Sequence, residues 1–179
     1  PQLEERILGE LTAEAERLPL TPDDPVALDW HNGRRTPDAD PRVRGGLDGL
    51  TLATSAPAIY KALVEATVFG SRAINERMLE EGVPIDNIFA IGGIARKSPF
   101  VMQTMADVIG VPIRVVDSDQ ACALGAAMFA AVAAGLYPSV QEAQRAMCPG
   151  FSDEYLPDME RHAIYDRLYD RYLKLGGRR

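Results

Sequence analysis

At 179 residues the chain has the length of about one domain with room for an appendage, long enough to bury a core. Its 46% hydrophobic and 25% charged residues are ordinary globular values, and a net charge of −7 excludes a general nucleic-acid or anionic-membrane surface, which would need clustered positive charge. Arginine supplies sixteen of the nineteen cations, a bias that suits planar ion pairs and phosphate contacts without establishing either.

Along the chain, Pro1–Arg6 lacks the basic region and apolar core of a signal peptide, and it lacks an initiator methionine. The chain is therefore expected to be a piece of something longer. Residues 3–18 place Leu3, Ile7, Leu8, Leu11, Ala15 and Leu18 at helical spacing, and Pro19 ends that pattern. A turn-rich connector leads to a short strand, Val26–Trp30, and the turn pair Asn32-Gly33. Residues 36–49, with their prolines and glycines, read as a surface loop. The longest helix starts near Ser55 or Ala56, with Pro57 tolerated in its first turn. Its predicted apolar stripe is Ile59, Leu63, Ala66, Gly70, Ile74 and Met78, and Gly82 and Pro84 stop it.

The next segments alternate strand and helix. They are a strand at Asn87–Ile91, the pair Gly92-Gly93, a helix over about Ser98–Ile109 closed by Gly110, and a strand at Val111–Val116. Asp117 and Gln120 have the spacing of a capping box opening a helix that ends at Gly135. Ala121–Leu136 is the most membrane-like stretch, but it falls short of the roughly 18 apolar residues a span needs and reads as a buried helix. A small helix over Ser139–Met147 and a terminal helix over about Asp158–Leu175 complete the pattern, the latter with Leu168, Tyr169, Tyr172 and Leu173 on one side. The domain division expected is residues 1–25 as helix and connector, 26–150 as the nucleotide-binding domain, and 151–179 as a terminal helix packed upon it. Cys122 and Cys148 are expected as reduced thiols of a cytoplasmic protein.

Gly92-Gly93 carries the functional argument. A glycine pair after an apolar strand is either a plain tight turn or a place where bare backbone meets a base or phosphate. It is not a phosphate loop of the Walker type, because Arg96 rather than glycine precedes Lys97-Ser98, and it lacks the G-x-G-x-x-G spacing of dinucleotide folds. Arg96 and Lys97 are solvated helix-entry charges or, if a nucleotide binds, partners for its ring face or phosphates. Ser98 fits a helix cap or a ligand contact equally. Asp117 and Asp119 could hold magnesium through water, but helix capping is the commoner task of such residues. His31 and His162 lie far apart with no metal-ligand spacing, and Tyr155, Tyr165, Tyr169 and Tyr172 read as packing for the terminal helix.

Four segments in order extend this reading: Ala27–Pro37 (ALDWHNGRRTP), Gly49–Thr54 (GLTLAT), Ala90–Lys97 (AIGGIARK) and Ser118–Ala127 (SDQACALGAA). From about Leu11 to the end the chain resembles the C-terminal part of the FGGY carbohydrate kinases, with Ala58 standing where a polar residue is usual. The wording of the first and third segments resembles the members that act on L-ribulose. The resemblance implies an α/β, actin-like (ribonuclease H-like) ATPase fold, present here incompletely as the C-terminal domain. It implies ATP and Mg²⁺ as cofactors, and Gly92, Gly93, Ile94, Arg96 and Lys97 as one side of the adenosine site. It further implies phosphorylation of a pentulose, L-ribulose, at its 5-hydroxyl in L-arabinose breakdown, with Ala123–Ala127 in the region coupling domain closure.

The catalytic aspartate, the first phosphate loop and the sugar-binding residues would then lie in a missing N-terminal domain, so this chain alone is expected to be inactive. A homodimer is compatible with the resemblance; nucleic acid and membrane are not expected partners. Two other classes stay open from the residues alone: an actin-like nucleotide-binding module without transfer activity, and a structural helper whose apolar faces dock on a partner. A kinase of another pentulose or a polyol, similar to xylulokinase, is the alternative within the enzyme class.

Overall fold

The computed structural model describes residues 2–177; Pro1, Arg178 and Arg179, which the expected division assigns to the first and last segments, lie outside the described residues. The first helix, α1 (Gln2–Arg17), lies on α2 (Ala56–Glu80), and the Thr12 and Tyr60 hydroxyls share a hydrogen bond of 2.9 Å between them. Ala15 is buried there, while Leu3, Ile7 and Leu8 are exposed. The connector after α1 is closed by Thr21 Oγ1 donating to Asp24 Oδ1 at 2.7 Å.

The strand β1 (Val26–Leu28) is shorter than expected but wholly buried. It pairs antiparallel with β2 (Gly46–Asp48), which falls inside the segment expected to be loop. Gly-Leu-Asp has no β-branched residue or alternation to announce a strand, so its pairing is set by tertiary contact. Trp30 follows β1 as a buried ring, edge-on to Tyr172.

In α2 the Ser55 hydroxyl caps the first turn by accepting from Ala58 N at 3.4 Å. Of the predicted stripe only Ala66 is buried, and Met78 is exposed. The buried arc runs through Ala62, Glu65, Ala66 and Phe69, displaced by one position, or about 100° around the axis. Lys61 and Glu65 caused the misreading, because charged side chains normally mark the solvent face. Here Lys61 Nζ donates to Asp24 Oδ2 at 2.6 Å and to the Pro19 carbonyl at 3.2 Å, and lies 3.8 Å from Glu65 Oε1. The Tyr165 hydroxyl donates to Glu65 Oε1 at 3.1 Å. Burial pushes the Glu65 carboxyl up to about 7 despite the opposing pull of Lys61.

The remaining elements are β3 (Ile88–Ala90), α3 (Gly93–Lys97), α4 (Pro99–Ile109), β4 (Ile113–Val116), α5 (Ala121–Ala133), α6 (Val140–Met147), β5 (Phe151–Tyr155) and α7 (Met159–Gly177). β3 and β4 are parallel, and β5 adds antiparallel to β4 with an irregularity at Val115/Val116. The sheet order is β3-β4-β5, separate from β1-β2. β5 was not anticipated, since Phe-Ser-Asp-Glu-Tyr is mostly polar, and it places Tyr155 in the sheet rather than with the terminal tyrosines. The main core joins β1, α2, α4 and α7 through Val26, Leu28, Phe69, Val108, Tyr165 and Tyr172 among others, with Phe69 between 5.5 and 6.3 Å from three tyrosine rings. Leu173, expected on the buried side of α7, is exposed.

Two further expectations are corrected. α5 is alanine-rich and apolar all round, yet Met128 is its only buried residue, and Phe129 and the following Leu136 are largely exposed. The capping box at its start does not form: Gln120 takes the cap position without a side-chain bond, and Ser118 Oγ accepts from Gln120 N at 3.2 Å. Both cysteines are free and exposed.

Candidate functional site

Because β3 and β4 run parallel and adjacent, the turns leaving their carboxyl ends lie side by side, which is where open α/β sheets place their ligands. The first of these turns is Gly92-Gly93. Gly92 has φ +90° and ψ −178°, a backbone state costly for any residue with a Cβ, so glycine there is required by the chain's path. Gly93 has no such backbone need. A Cβ built on either glycine meets no atom within 4 Å, so both present bare backbone to open space.

The short helix α3 follows directly, where the sequence pattern suggested only a lead-in to α4. Ala95 anchors it, buried against Met102 and Val115. That anchorage leaves Ile94 exposed at the surface and Lys97 exposed without an ion pair among the described residues. Ser98 is committed to capping: its hydroxyl accepts from Val101 N at 3.4 Å and so opens α4.

Arg96 turns the other way, toward the second turn. Its NH1 lies 2.8 Å from Asp119 Oδ1 and its NH2 3.6 Å from Asp117 Oδ1. The two aspartates do not cap α5; they receive a guanidinium. The sequence missed this pairing because the partners are some twenty residues apart. A cation just after one βα turn and two carboxylates in the next, on neighbouring parallel strands, were the available signal. Arg96, Asp117, Asp119, Leu124, Ala127 and Met147 line an open groove of about 640 Å³ that runs from the acidic turn along α5.

The groups suited to ATP and to Mg²⁺ differ. Open backbone at Gly92-Gly93, the apolar Ile94 and the free Lys97 cation fit a nucleoside phosphate. Magnesium is not matched: among the described residues no three His, Cys, Asp or Glu side chains gather into a metal site, and Asp117 and Asp119 already face a cation. The strongly shifted carboxyl, Glu65, is buried in the α2 core with its partners satisfied and belongs to the packing. His162 is likewise structural, its Nδ1 donating to the Asp107 carbonyl at 2.8 Å. No helix among the described residues is long and apolar enough to cross a membrane.

The parallel βα units and the glycine turn at a strand's carboxyl end make this an α/β domain, and residues 3–134 match the FGGY family of carbohydrate kinases, C-terminal domain. The chain belongs to that family, and its fold is the actin-like ATPase fold. It is 46% identical over 175 residues to a ribulokinase of Vibrio parahaemolyticus, covering 98% of this chain and 31% of the relative. A ribulokinase of Bacillus licheniformis is 46% identical over 154 residues, covering 84% and 28%. Among solved structures, a ligand-bound xylulose kinase from Lactobacillus acidophilus superposes with a TM-score of 0.84 at 26% identity, covering 93% of this chain and 34% of that one. A xylulose kinase from Rhodospirillum rubrum gives 0.82 at 27%, covering 96% and 34%. The chain therefore spans about a third of the length of the relatives it matches.

Proposed function

We propose that this chain is the C-terminal, nucleotide-side part of an ATP-dependent sugar kinase that phosphorylates L-ribulose at its 5-hydroxyl. In this reading Gly92, Gly93, Ile94, Arg96 and Lys97 form one side of the adenosine site. The observation that carries it is the Gly92-Gly93 turn, open on both glycines at the carboxyl end of a parallel strand. L-ribulose is favoured over xylulose because relatives named ribulokinase are 35–46% identical to this chain, against 24–27% for the xylulose kinases of known structure.

An upstream domain completes the enzyme and carries the base for the sugar hydroxyl and the first phosphate loop. Two features support this. The apolar surface of α5 is left uncovered, and β1 and β3 each have one unpaired edge among the described residues. Magnesium, which would supply positive charge to the phosphates, would be held by the nucleotide and by residues outside this chain. ADP release by the intact protein, followed by a coupled assay over L-ribulose, D-ribulose, D-xylulose and pentitols, tests the reading. Turnover confined to a substrate other than L-ribulose would replace the proposed specificity.

A further inference from the structure

The Gly92-Gly93 turn is built from two glycines, the residue type with the widest backbone freedom, yet a nucleotide surface gains from being shaped before the ligand arrives. Its upstream end is fixed by β3 pairing to β4. Its downstream end is α3, only five residues long and held to the body by Ala95 and by the two contacts of Arg96. The acidic turn that receives Arg96 is itself braced: Asp117 N donates to the Gly150 carbonyl at 3.1 Å, Ser118 N to the Val116 carbonyl at 2.9 Å, and Gln120 N to Ser118 Oγ at 3.2 Å. Arg96 therefore ties the segment just after the glycine turn to the neighbouring acidic turn.

Resting on the adenosine-site reading above, we propose that Arg96 is a positioning residue: its bridge to Asp119 and Asp117 sets the shape of the glycine turn, and so tunes adenine-nucleotide affinity through the backbone rather than by touching phosphate. The alternative, a direct Arg96–phosphate contact, makes the opposite prediction for the aspartate. Removing Asp119 would then free the arginine and remove a negative charge, and MgATP would bind more tightly.

The test is calorimetric titration of the intact protein with adenosine and with MgATP, for wild type, Asp119→Ala, Arg96→Asp and the exchange Arg96→Asp/Asp119→Arg. With the latch, Asp119→Ala weakens both ligands by the same factor, about two- to fivefold for a partly exposed ion pair. The exchange then recovers affinity relative to Arg96→Asp, while the melting temperature moves by no more than about a degree, because exposed pairs contribute little to global stability. Unchanged or tighter MgATP binding in Asp119→Ala, or an exchange no better than Arg96→Asp, overturns the latch while leaving the nucleotide site standing. Absence of adenosine and MgATP binding in wild type removes the nucleotide reading itself.

Discussion

Gly93→Val separates a binding turn from a structural one. Gly93 lies outside the positive-φ region, and a Cβ there meets no atom within 4 Å, so the fold has room for the larger side chain. Valine and glycine differ by only a few tenths of a kcal/mol in helix preference, so stability should change by less than about 0.5 kcal/mol. If adenosine lies on this backbone, the branched side chain occupies its contact surface. Overfilling a packed contact costs about 1–3 kcal/mol, which is about 5- to 150-fold in affinity. Gly92→Ala is the contrasting control. At φ +90° and ψ −178°, backbone reserved for glycine, an added Cβ introduces strain of about 1–3 kcal/mol, expected to lower the melting temperature even without ligand. Scanning calorimetry and nucleotide titration of the intact protein read both quantities. If Gly93→Val loses as much stability as affinity, or loses neither, the bare backbone is not a ligand surface.

Other outcomes follow from the core. The Glu65 carboxyl titrates near 7 in the folded protein and near its ordinary value when unfolded, so between those values the folded state holds a proton that the unfolded state has released. Stability from this group is present at low pH and falls as pH rises through that window, at up to about 1.4 kcal/mol per unit. Glu65→Gln should flatten the slope in denaturant titrations between pH 5 and 7; a slope as steep as wild type would show that Lys61, Tyr165 and Arg161 hold the carboxylate charged. Phe69→Ala, which removes the ring between three tyrosines, should cost about 3–5 kcal/mol in chemical unfolding; a loss below about 1 kcal/mol would mean the site collapses around the gap.

Where local chemistry decides structure, the sequence was readable. Ser55, Ser98 and Ser139 each cap a helix by accepting an amide three residues on, and Gly82, Gly110 and Gly135 each stop one at positive φ. The glycine turn and its strand were also in place, because an apolar run and two glycines are local signals. What failed depends on distant partners. β2 and β5 lack strand composition and exist by pairing with β1 and β4. The α2 face was misread because its buried charges find Asp24, Pro19 and Tyr165 far along the chain. α5 reads as a core helix because it is apolar on all sides, while its exposure reflects how little of this chain packs against it. At the site, helix-capping spacing concealed the contact of Asp117 and Asp119 with Arg96, a pairing made only when two βα turns come together.

ADP release with L-ribulose shows whether this chain supplies the nucleotide side of a kinase completed by an upstream domain. The assay compares the intact protein with the 179-residue chain alone. Turnover that yields L-ribulose 5-phosphate is expected from the intact protein and none from the isolated chain. ADP formation from L-ribulose by the isolated chain, or none by the intact protein with any pentulose, would contradict it.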